Sequence, residues 1–116
     1  MPTQIGILSQ SVAIGAGQSL SGEIDLGAAK LTAIFVPSGW TAANLTLQAS
    51  PDGGVTWGNL YTDAGAEVTF VAAAGQMIAI DPTRLRGINC LKLRSGTSGT
   101  PVNQVSAANL TLIASL

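Results

Sequence analysis

The chain has no histidine among its 116 residues. That removes the commonest general base at neutral pH and the commonest metal ligand together. A Ser-His-Asp triad and a Cys-His nucleophile pair are both excluded. The single cysteine, Cys90, rules out a disulfide framework within the chain. Its apolar neighbours Ile88 and Leu91 predict a buried structural thiol. Charge is also scarce: 9% of residues are charged, against about 25% in an ordinary soluble domain. The net charge is −1 with no basic cluster, so the electrostatic footprint of a nucleic-acid binder is missing. No run approaches the ~18 consecutive apolar residues of a membrane helix. The opening "MPTQIGILSQ" lacks the basic region and long apolar run of a secretory signal. The expectation is a protein made in a cytoplasm and soluble until it assembles, with no nucleic-acid partner, membrane or cofactor.

What remains is apolar and small. Hydrophobic residues make up 47% of the chain but aromatics only 4%, and the length suits one domain with one core. A small domain normally disperses itself with surface charge. The shortage here predicts a surface partly covered by further copies or by a larger assembly. The alternative is a neutral surface wetted by Thr, Ser, Asn, Gln and Gly. Every charged side chain lies between Glu23 and Arg94. Residues 1–16 read as a neutral N-terminal arm and residues 17–116 as the folded domain. Ile5, Ile7, Leu8, Val12 and Ile14 give the arm a strand-like face that needs a partner, in the same sheet or in a neighbouring subunit.

The period is two nearly throughout. "SLSGEIDL" places Leu20, Ile24 and Leu26 on one face. "KLTAIFVP" is apolar on both faces and predicts a central strand covered on both sides, ended by Pro37. "NLTLQAS", "EVTFVA", "QMIAID", "CLKLRS" and "NLTLIASL" follow, with Gly- and Pro-bearing turns between them. Short strands at close spacing predict an all-β, single-domain antiparallel sandwich or barrel. The one helical candidate is a turn over residues 82–86, capped by Asp81. "AANLTLQAS" (42–50) and "AANLTLIAS" (107–115) differ only at Gln48 and Ile113. They predict equivalent central strands in two sheets, with Ile113 on an outer face that is covered rather than wet.

The stretch "SPDGGVTW" (50–57) predicts a hairpin turn. Ser50 opens the turn, Asp52 accepts turn amides, Gly53 and Gly54 supply conformations that other residues resist, and Trp57 packs over the turn. Two facing carboxylates, as glycoside hydrolysis requires, are not suggested, because Asp25, Asp52, Asp63 and Asp81 each sit in a turn context. The reading is therefore not an enzyme, with no catalytic, metal or cofactor residue. Lys92 and Arg94 share a strand face and can pair with Glu67 or Glu23 across a sheet.

The turn resembles the Asp-box of sialidases over about eight residues, a resemblance that carries no catalytic group. "LTLQASPDGGVTWGNL" and "CLKLRSG" are similar to strands of discoidin-type binding modules, which implies a jelly-roll-like sandwich. Such modules bind through loop-tip aromatics, basic residues or calcium. Trp40 in "PSGWTAAN" is the matching aromatic here, unless it folds back on the sandwich end. From Leu31 onward, "PSGWTAANLTLQASPDGGVTWGNLY", "IAIDPTRLRGINCLKLRSGT" and "PVNQVSAANLTLI" resemble small tailed-bacteriophage virion proteins. That resemblance implies a structural protein, and the composition fits a capsid decoration or cement protein on the virion surface. A homotrimer bound to the major capsid protein at capsomer junctions is the expectation. Ile5, Ile7, Leu8, Trp40, Arg84 and Arg86 are the candidate partner or ligand contacts. A carbohydrate-binding module for host attachment and a tail or head-tail connector component are the alternatives.

Overall fold

Alternating apolar residues build nine strands, and the computed structural model describes residues 6–116. They are β1 (Ile7–Ile14), β2 (Ile24–Asp25), β3 (Lys30–Phe35), β4 (Leu45–Ala49), β5 (Gly58–Asn59), β6 (Thr69–Phe70), β7 (Met77–Ala79), β8 (Cys90–Ser95) and β9 (Ala108–Ser115). The chain pairs like one long hairpin folded over on itself. β1 pairs with β9, β2 with β8, β3 with β7, and β4 with both β5 and β6, all antiparallel. Two further pairings, β3 with β9 and β4 with β8, join these into sheets. One sheet runs β1-β9-β3-β7; the other runs β2-β8-β4-β5, with β6 also on β4. This is a jelly-roll sandwich, as the sequence led us to expect.

The core lies between the sheets. Leu31 and Ile34 of β3, Leu45 and Leu47 of β4, Leu91 and Leu93 of β8, and Leu110 and Leu112 of β9 are all fully buried in one cluster. Each such side chain contributes about 1.5–3 kcal/mol by leaving water. The near-identical segments become β4 and β9, and each is flanked by strands on both sides. Their Leu pairs point into the same core, so the shared sequence reflects a shared position.

Three expectations are corrected. Residues 7–14 do not form an arm apart from the domain. They pair with β9 along their whole length, and Ile14 is fully buried. β3 is covered on one face only. A bulge between Leu31 and Ala33 reverses the alternation, so Leu31, Ile34 and Val36 all face inward. Ala33 and Phe35 are left facing out. The Thr32 hydroxyl at the bulge donates to the Ile113 carbonyl at 3.1 Å. Residues 82–87 form turns rather than a helix. Asp81 still caps them, accepting from the Thr83 N–H at 3.1 Å and the Thr83 hydroxyl at 2.8 Å.

Candidate functional site

The Ser50–Trp57 turn joins β4 to β5, and its five expected residues come together. The Ser50 hydroxyl donates to Asp52 Oδ1 at 2.8 Å and accepts the Gly54 N–H at 2.8 Å. Asp52 Oδ1 also accepts the Thr56 N–H at 2.8 Å. The Thr56 N–H, then the Thr56 and Ser50 hydroxyls, hold the Asp52 carboxyl below its ordinary pKa. Gly53 and Gly54 have φ of 72° and 100°, which disfavours a side chain at either position. A Cβ on Gly54 would also collide with the Glu23 carboxylate. Trp57 Nε1 donates to the Gly54 carbonyl at 3.1 Å, while Lys92 Nζ lies 4.3 Å from the Trp57 ring centroid, a cation–π contact. Beside the turn, Pro51, Trp57, Leu60 and Ile88 line an open groove of about 490 Å³.

The outer face of the five-stranded sheet holds a largely buried ion pair. Arg94 Nη1 pairs with Glu67 Oε2 at 3.2 Å, with side chains only 8% and 13% exposed. Arg94 also donates to Asn59 and to the Thr46 hydroxyl. Glu67 accepts the Ser98 N–H at 3.1 Å. The expected Arg94–Glu67 pairing across the sheet is therefore present, whereas Lys92 covers Trp57 instead. Cys90, 5% exposed, donates to Glu23 Oε1 at 3.1 Å. That bond, then burial, pushes the thiol up to about 11.

Trp40 does not present a ring at a loop tip. It is 6% exposed within the core cluster, and its Nε1 donates to the Ala43 carbonyl at 3.0 Å. The partner its loop does have is Gln104, which sequence reasoning missed. Gln104 is fully buried. It accepts the Thr41 N–H at 2.8 Å and donates to the Thr41 carbonyl at 3.1 Å and to Ser95 Oγ at 2.8 Å. It clips the β3–β4 connection to the β8–β9 connection. A lone Gln in a loop gives no periodic signal, so only the folded structure shows its role.

The four-stranded sheet presents the opposite kind of outer face. The registers place Ile7, Ser9, Ser11 and Ala13 of β1 beside Ser115, Ile113, Thr111 and Asn109 of β9. Lys30, Ala33 and Phe35 of β3 continue the face, followed by Ala79 and Met77 of β7. Lys30 is the one charged residue on it among the described residues. Ile7, Phe35 and Met77 are 42%, 38% and 59% exposed. Leu8 shares the side of β1 that carries buried Ile14 but is still 47% exposed. Arg84 and Arg86 are exposed on the β7–β8 connection. Ile5 lies outside the described residues. Among the described residues, no group of three or more His, Cys, Asp or Glu is placed to hold a metal ion.

No family model matches the chain, and no curated protein or solved structure matches it.

Proposed function

We propose that the protein is a non-enzymatic virion structural protein of the capsid decoration type, bound at capsomer junctions. The observation that carries this reading is the outer face of the β1-β9-β3-β7 sheet: continuous, nearly uncharged, and exposing Ile7, Phe35 and Met77. A face of that kind is suited to burial against another protein. Jelly rolls also serve in viral capsids, lectins and cupins, a fold-level analogy that supports the reading without selecting it. The sequence resemblance to small phage virion proteins points the same way. Binding several capsid subunits at once multiplies weak contacts and stabilises the shell. The test is co-sedimentation with expanded capsids. Phe35→Asp and Met77→Asp should leave the fold intact and abolish binding. Wild-type protein that stays in the supernatant at every concentration would remove the reading.

A second reading, a carbohydrate-binding module, now rests on Trp57 rather than Trp40. Trp57 lines the groove beside the turn together with Pro51 and Ile88, and a flat ring in an apolar groove can stack on a sugar. Titration of tryptophan fluorescence against a glycan panel separates the two. Saturable binding lost in Trp57→Ala but retained in Phe35→Asp would favour the module.

A further inference from the structure

Three of the four sheet edges are blunted by shortness. β2, β5 and β6 span two residues each and β7 spans three. Short edge strands are one way proteins avoid pairing with other chains. β1 is different. It is an edge strand of eight residues, ILSQSVAI, with no charge, no proline and an unbroken register against β9. The usual devices that discourage edge pairing are missing from it.

The hydrogen-bond phase of β1 can be read from its end. The Leu116 N–H donates to the Gly6 carbonyl at 2.9 Å, so the even-numbered residues of β1 exchange bonds with β9. The N–H and C=O groups of Ile7, Ser9, Ser11 and Ala13 therefore point to the open edge. No residue among 6–116 pairs with that edge.

The strand is close to a mirror of itself about Gln10. Ser9 mirrors Ser11, Leu8 mirrors Val12, and Ile7 mirrors Ala13. An antiparallel copy centred on Gln10 sets 7 against 13, 9 against 11, 11 against 9 and 13 against 7. Every open position then meets an open position, which a slip of one residue would prevent. On the outer face serine lies beside serine and Ile7 beside Ala13. On the inner face, exposed Leu8 lies beside Val12 of the other copy, with Gln10 beside Gln10 on the axis. No like charges meet, since the strand has none.

We infer that β1 is a self-complementary edge that pairs two copies of this chain about a two-fold axis through Gln10. The two four-stranded sheets become one continuous sheet, β7-β3-β9-β1 followed by β1-β9-β3-β7. The sparsely charged outer face doubles in extent. This two-fold symmetry differs from the homotrimer expected of a decoration protein, and the inference does not depend on the capsid reading.

The test is a site-specific cross-link in the full chain. Residues on the axis form a wide antiparallel pair with Cα atoms about 4.5 Å apart, within the range a disulfide spans. Gln10→Cys should give a covalent dimer under mild oxidation. Ser9→Cys should give several-fold less, because its partner is Ser11. Native Cys90 is buried and adds no background. In wild-type protein, light scattering should give a dimer, with slowed hydrogen exchange at the amides of Ile7, Ser9, Ser11 and Ala13. Ser9→Pro removes an open-edge N–H and no bond to β9. It should stay folded by circular dichroism and weaken the dimer at least about tenfold. Chains carrying Lys at both 9 and 11 should be monomeric, as should chains carrying Asp at both, and the mixture should form heterodimers. A monomer at high concentration, or a trimer whose β1 amides exchange freely, would overturn the two-fold pairing. Either result leaves capsid binding to be decided by its own sedimentation assay.

Discussion

β4 and β9 are made from nearly the same nine residues and lie at the centres of opposite sheets, yet their outer faces differ in kind. Inward, they match: Leu45 and Leu47 meet the same core as Leu110 and Leu112. Outward, Gln48 lies between Asn59 and Lys92, on a face where Arg94, Glu67, Asn59 and Thr46 satisfy one another. Its twin Ile113 lies between Ser9 and Ala33, on a face with Lys30 as its one charge among the described residues. One face ties Arg94, Glu67, Asn59 and Thr46 into a network within the chain. The other has exposed apolar side chains and an open edge, and among the described residues no strand pairs with that edge. The neighbours, together with the one exchanged residue, set each face's role.

The contrast can be broken on the five-stranded side with the largest effect. Glu67→Ala leaves the buried Arg94 guanidinium without its counter-charge and should cost about 3 kcal/mol in guanidinium unfolding. A loss below about 1 kcal/mol would mean that this face does not depend on its internal pairing. Gln104→Leu strands the Thr41 amide and carbonyl and should cost about 2 kcal/mol by the same measurement, with Trp40 fluorescence reporting the loosened loop. Asp52→Ala should lower the thermal midpoint by less than either and leave partner binding intact. Loss of partner binding by a folded Asp52→Ala chain would make the turn an interaction site.

The turn carboxylates also set an acid limit. Asp52 and Asp81 are both held below their ordinary pKa, Asp52 first by the Thr56 N–H and Asp81 first by the Thr83 hydroxyl. A depressed folded-state pKa adds stability above the unfolded value and loses it as pH falls through the folded one. Stability should therefore decline below about pH 4, and less steeply in the Asp52→Ala, Asp81→Ala double variant. A parallel decline in both would refute the assignment.

The smallest stability effects belong to the open face, and they sharpen the comparison most. Met77→Ser and Ile113→Gln should each change unfolding free energy by no more than about 0.5 kcal/mol. Both should weaken capsid binding in the sedimentation assay. The corresponding exchange on the other strand, Gln48→Ile, should leave capsid binding unchanged. If Ile113→Gln binds capsids normally, the apolar outer face is not the contact.

Much of the fold was legible because period-two alternation is a local signal. "NLTLQAS" and "NLTLIASL" could be read as central strands, and the Asp52 turn could be read residue by residue. "KLTAIFVP" was misread because a bulge at Thr32 reverses the alternation, and a bulge has no mark in an apolar run. Trp40 stands in a Gly-bearing loop, which leaves a loop-tip aromatic and a ring folded back on the sandwich end both open in the sequence, and the structure takes the second. Its burial depends on the strands it folds against. The neutral N-terminal segment was separated from the domain because no local feature names its partner, which lies about a hundred residues away in β9.

The sequence alone determined the class of structure: alternation, closely spaced turns and absent histidine are properties of neighbouring residues and of composition. Only tertiary structure decided which faces are finished. Long-range pairing placed Arg94 beside Glu67, clipped Gln104 to Thr41, and, among the described residues, left one edge of β1 unpaired beside a face with a single charge. Those outcomes depend on which strands become neighbours, and sheet order is settled by packing across the whole chain.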